Sequence, residues 1–169
     1  LLLQELSKRI NCDRKLTAKT EPYKQYFDKR FVISADLGKS PMDYSIYDKY
    51  LAVYNLIRKE NFLTVYATGA ILDFDFKSFD LKYNRLYVEV LPGNFSPENP
   101  LEELPAGHYL CVNFFPRNRE AQLKKLADSL EQLNVTPKLI LQADTFYDVT
   151  NYKNPLMEIQ CLIDEESTK

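Results

Sequence analysis

Tryptophan is missing altogether, histidine occurs once and glycine four times in 169 residues. With His108 as the lone histidine and no CxxC among Cys12, Cys111 and Cys161, no ligand set of metal-site spacing exists. Neither a metal nor another cofactor is expected. There is no GxSxG elbow to carry a Ser-His-Asp arrangement and no Gly-rich phosphate loop, so no catalytic residues are assigned and the chain is not expected to be an enzyme. Charge of one sign is lacking too: 22 basic and 24 acidic residues leave a net charge of −2. A surface that grips phosphates is therefore not expected, and this segment is not read as binding nucleic acid itself. No apolar run approaches the ~20 residues that cross a bilayer, and no signal-peptide pattern is present. Cys111 and Cys161 sit inside apolar, strand-like runs where a thiol acts as a small hydrophobe, which suits a soluble, cytoplasmic protein with reduced cysteines and no membrane partner.

What the chain does have is tyrosine and phenylalanine, twelve and ten respectively. Tyrosine offers a flat apolar face with a polar tip, suited to half-buried cores and to pockets for flat or cationic ligands. The length fits one domain. Within it one arrangement occurs twice. A helical stripe through Tyr50, Val53 and Ile57 ends near Asn61 and leads to an apolar strand closing at Leu72-Asp73-Phe74-Asp75. Leu123, Leu126 and Leu130 repeat the stripe, Asn134 its end, and Thr145-Phe146-Tyr147-Asp148 the strand's close. Each copy then has a strand bearing one acid, Glu89 and Glu158, and the two acids are read as counterparts.

Strands are expected at 31–37, 65–74, 86–91, 108–115, 139–147 and 158–163, with helices starting after Ser40 or Asp43, either of which caps the first, and spanning 120–133 in the second copy. Lys77 to Asn84 reads as a polar hairpin loop, Asn11 to Arg30 as a connection, and Asp164-Glu165-Glu166 as a frayed tail. The order strand, helix, strand, strand, given twice, predicts an α+β fold: a tandem repeat with pseudo-twofold symmetry, antiparallel sheets and helices packed on them. The seam between copies is the expected place for a pocket. Residues 1–16, opening Leu1-Leu2-Leu3-Gln4-Glu5-Leu6, have coiled-coil spacing at Leu3, Leu6 and Ile10 and read as the stub of a linker helix. Residues 17–169 form the domain proper.

The run Leu104-Pro105-Ala106-Gly107-His108-Tyr109, the acidic-x-aromatic element Asp144-Thr145-Phe146 and the late strand acid Glu158 together resemble the gyrase-inhibitor-like effector-binding domain. The version most similar forms the C-terminal ligand-sensing half of MerR-type multidrug-responsive transcription activators. The resemblance implies a homodimer through the linker helix, contact with promoter DNA through an N-terminal winged helix-turn-helix domain outside this sequence, and an aromatic pocket with acidic groups for lipophilic cations. It implies Asp144, Phe146 and Glu158 as pocket residues. Two departures stand out: Gln160 replaces the tyrosine often found two residues after the late acid, and Asp144 is one methylene shorter than the usual glutamate.

Strand alternation puts Gln142, Asp144 and Phe146 on one face, and Glu158, Gln160 and Leu162 on one face. Both sets are expected to line one region, joined by Tyr44 and Tyr47 at the start of the first helix and Tyr66 at the start of the next strand. A carboxylate among aromatic rings is poorly solvated, and a delocalised organic cation supplies the missing stabilisation. The expected effector is a hydrophobic or cationic small molecule. The residues also admit a strand-edge carboxylate at Glu158, a turn-capping one at Asp144 and plain core tyrosines. Two other functions fit the same scaffold: a small-molecule hydrolase with Glu158 as general base and Asp144 or a Tyr as partner, or a topoisomerase-binding inhibitor with an exposed acidic surface.

Overall fold

The computed structural model describes residues 21–37, 45–76, 78, 80–93, 95, 98, 100–144 and 156–165. Among these described residues, eight strands and two α-helices follow in the order β1 Tyr23–Phe27, β2 Arg30–Asp36, α1 Ser45–Lys59, β3 Thr64–Asp75, β4 Asp80–Val90, β5 Glu102–Leu104, β6 Gly107–Phe114, α2 Arg119–Gln132, β7 Ile140–Asp144 and β8 Met157–Glu165, with a short 3-10 turn at Pro116–Asn118 before α2. The strands form one antiparallel sheet in the order β1-β6-β8-β7-β3-β4-β2-β5. Reversing that order about the β7–β3 seam exchanges β1 with β5, β6 with β2, β8 with β4 and β7 with β3. That exchange is the pseudo-twofold relation the repeat predicts.

Both helices end in the same way. Asn61 and Asn134 take left-handed backbone angles, φ 55° and 53°. In each case the next residue's N–H reaches back five positions, Phe62 to the Ile57 carbonyl at 3.0 Å and Val135 to Leu130 at 3.1 Å, while the asparagine N–H bonds three positions back. This is the Schellman ending, and asparagine substitutes for the usual glycine because it tolerates the left-handed region. Ser40 and Asp43, expected to cap α1, lie outside the described residues, as do residues 1–16.

Two strands escaped sequence reading. β1 lies inside the supposed connection, and β5 is only three residues long. Each precedes one repeat yet pairs in the other: β1 joins β6, and β5 joins β2. Only Asp28-Lys29 separate β1 from β2, and Pro105-Ala106 separate β5 from β6. Such a connection spans at most about 11 Å, so the two ends of the strand order must curl toward each other. Arg30 of β2 confirms the closure, its guanidinium lying 4.5 Å from the Phe27 ring of β1 and 5.5 Å from the Tyr109 ring of β6.

The curl gives the sheet an inner face and a helix-covered face. Tyr109 and Cys111 of β6, Leu162 of β8, Leu141 of β7, Tyr87 of β4 and Val32 of β2 form the inner cluster. Leu110, Val112 and Phe114 point the other way, onto Leu123, Leu126 and Leu130 of α2. α1 covers Ile33, Val88 and Val90 through Val53 and Ile57. Each fully buried leucine contributes roughly 1.5–3 kcal/mol of transfer free energy as an upper estimate. Cys111 and Cys161 are buried in these layers and form no disulfide among the described residues.

Two further expectations are corrected. β4 begins at Asp80, well inside the supposed loop, because Leu81 and Tyr83 pack on the helix-side core while polar neighbours face out. Asp164 and Glu165 pair with His108 and Gly107 and so extend β8 where a frayed tail was expected. Among the described residues no helix is long and apolar enough to cross a membrane.

Candidate functional site

The β7–β8 ladder decides which side chains meet. Ala143 pairs with Glu158, Asp144 with Met157 and Leu141 with Gln160. Directly paired residues share a face, and neighbours along a strand alternate. Leu141 belongs to the inner cluster and Ile140 to the helix side, so Gln142 and Asp144 face the helices while Glu158 and Gln160 face inward. The expectation that both acids line one region is therefore overturned. The alternation within each strand holds over 140–144 and 158–162, but the relative phase of two strands is a property of their register. The same register separates Asp144 from Glu158 as a base and its partner in the hydrolase reading.

Around Asp144 the side chains come from five elements, β3, β4, β7, β8 and α1. Thr68 of β3 donates its hydroxyl to Asp144 Oδ2 at 2.7 Å. Tyr83 of β4 donates to Gln142 Oε1 at 2.9 Å, and Gln142 Nε2 lies 3.4 Å from Met157 Sδ. Tyr50 of α1 bonds to Thr68, and its phenol is held above the ordinary range first by burial and then by the Asp144 charge. Tyr83 is raised by burial, against Arg119, and again by Asp144. Asp144 ends β7 as an exposed residue whose carboxyl is partly desolvated by neighbouring atoms. That poor hydration raises its pKa, with hydrogen bonds from Thr68 and Gln142 opposing the shift. Among the described residues Asp144 forms no ion pair; the salt bridges lie elsewhere, as at Arg85–Asp36.

The structure of SAV2435 bound to tetraphenylphosphonium is similar at 9% identity and TM-score 0.46, over 87% of this chain and 94% of that one. A protein named for bacterial transcription regulation, from Staphylococcus aureus MU50, is similar at 10% identity and TM-score 0.45, over 88% of this chain and 100% of that one. No protein-family model matches the sequence, and no curated protein matches it.

Glu158 occupies a second, inner cluster. It is 3% exposed, accepts a hydrogen bond from Gln160 Nε2 at 2.6 Å and another from the Tyr23 hydroxyl. Asn113 donates to the same hydroxyl at 3.3 Å. Burial, followed by the nearby Glu158 carboxylate, drives the Tyr23 phenol far above its ordinary range. Glu89 is not the counterpart of Glu158. Aligning the connections that end β1 and β5 makes Asp36 and Asn113 equivalent, each the seventh residue of its strand. Asp36 pairs with Arg85 and Asn113 with Glu158, so Arg85 stands where the other half has its acid.

Of the remaining candidates, Tyr44 and Phe146 lie outside the described residues. Tyr47 is in the first turn of α1 and Tyr66 in β3 between Thr64 and Thr68, with their side chains outside the description. Sequence reading missed Thr68, Tyr83, Tyr23 and Asn113. The alternation Asp80, Leu81, Lys82, Tyr83 was the available signal for Tyr83. Nothing local marked Tyr23, whose strand is defined by a partner from the other repeat.

Proposed function

We propose that this chain is the ligand-sensing domain of a transcription regulator, taking lipophilic cations beside Asp144 and signalling to an N-terminal helix-turn-helix domain outside this sequence. The observation that carries the reading is a carboxyl at the open end of β7 that accepts from Thr68, has the Tyr50 and Tyr83 phenols as electrostatic neighbours, and has no ion-pair partner among the described residues. An organic cation stabilises the ionised acid without needing a fixed hydrogen-bond geometry, and each well-placed ring adds about 0.5–2 kcal/mol of cation–π attraction. A site built this way discriminates weakly by shape. The same reading assigns Tyr44, Tyr47, Tyr66 and Phe146 to the ligand as aromatic residues. Homodimerisation through residues 1–16, promoter binding through the absent domain and a cytoplasmic setting belong to the same reading. Signalling requires that the effector bind two domain arrangements with different affinity.

Titration with tetraphenylphosphonium, followed by tyrosine fluorescence, tests the site. Affinity is expected to fall at least about tenfold in Asp144→Asn, the scale of one lost charge interaction. It is also expected to rise with pH as Asp144 ionises and to level off above its raised pKa. An Asp144→Asn chain that binds as tightly as the wild type removes the proposal.

A further inference from the structure

We propose that the Tyr23–Glu158 hydrogen bond couples the Asp144 site to β1, and through β1 to the residues before it, an inference that rests on the ligand-binding reading of Asp144. The two acids sit on opposite faces of the sheet but on consecutive rungs of one ladder, Ala143↔Glu158 and Asp144↔Met157. No molecule beside Asp144 touches Glu158, yet both carboxyls hang on the same short stretch of two-stranded backbone. On the helix side Gln142 ties that stretch to Met157 at 3.4 Å. On the inner side Glu158 is oriented by Gln160 at 2.6 Å and accepts from Tyr23.

Tyr23 is the first residue of β1, a five-residue edge strand whose pairing is with β6 alone among the described residues. Edge strands this short have few main-chain bonds and open at low free energy, so one strong side-chain tether weighs heavily in whether β1 stays docked. That tether ends on a buried carboxylate, a position where losing a donor is costly and the hydrogen bond is correspondingly strong. β1 follows directly on residues 1–20, and it is the strand that crosses from the first repeat to the second. A displacement of the β7–β8 ladder by an occupant of the Asp144 site therefore reaches the entering chain through the Tyr23–Glu158 contact as well as through the β8–β6–β1 main-chain ladder. Interacting sites reveal such coupling as non-additivity.

Hydrogen exchange of the 23–27 amides, measured without ligand in the wild-type 169-residue chain, Tyr23→Phe, Asp144→Asn and the double variant, tests this. Tyr23→Phe is expected to speed β1 exchange about tenfold, the equivalent of one charge-assisted hydrogen bond. Asp144→Asn is expected to change β1 exchange at least about threefold when Tyr23 is present and to have little further effect when it is Phe. An equal response to Asp144→Asn in both backgrounds, or no response in the wild type, overturns the coupling. Tetraphenylphosphonium affinity of the same four proteins reports separately on the binding reading, since it tests Asp144 as a ligand group whether or not β1 responds.

Discussion

Gly69 shows how much one residue decides. The Tyr87 ring passes over it on the inner face, and an added Cβ would collide with that phenol and with the Gln142 carbonyl. Tyr87 is buried and backbone cannot yield, so Gly69→Ala is expected to destabilise by about 1–3 kcal/mol in urea unfolding. A neutral result would mean that Tyr87 turns aside freely. Asp144 carries the matching electrostatic prediction. Its raised pKa means that the folded chain binds more protons than the unfolded one, so stability falls as pH rises from the ordinary carboxylate range through the raised value and is level above it. Asp144→Asn should therefore be more stable than the wild type near neutral pH and lose that slope. Melting temperatures from about pH 3 to 8 check the sign. A difference that stays constant across that range would show that the carboxyl is ordinarily solvated.

Among the elements, α2 illustrates what periodicity specifies. Leu126 is 0% exposed and belongs to the helix-side core cluster with Leu110, Val112 and Phe114 of β6, so Leu126→Ala should cost about 2–5 kcal/mol. Leu51, on the open side of α1 at 49% exposure, should tolerate alanine within about 0.5 kcal/mol. Denaturant midpoints of the two variants test the assignment, and similar losses would contradict it. Both helices and their asparagine endings were legible because stripe and stop are local features. β3, β6, β7 and β8 were legible as apolar runs. β1 and β5 were not, because a strand of five or three residues with half-polar composition owes its shape to the neighbour that pairs with it. The start of β4 failed for a similar reason: Leu81 and Tyr83 alternate with polar residues, and only a covered face distinguishes that from a loop.

At the scale of the whole molecule the swapped edge strands join the repeats. β1–β6, β5–β2 and the β3–β7 seam all cross between halves, and Arg30 packs on rings from both. Urea unfolding is expected to be one transition, coincident by far-ultraviolet circular dichroism and tyrosine fluorescence. A fragment of residues 21–93 is expected to stay unfolded, since it lacks the partner of β1 and carries β2 without β5. Two resolved transitions, or a folded fragment, would make the halves independent.

The amino-acid order by itself determined the duplicated unit, the helices with their stops, the acids worth attention and the α+β class, since each rests on interactions within a few residues along the chain. Tertiary structure alone decided that Asp144 and Glu158 stand back to back, that Arg85 occupies the position equivalent to Glu158 in the other half, and that β1 serves the second repeat. Those facts depend on register and on the curl of the sheet, where one residue of slip exchanges inside for outside.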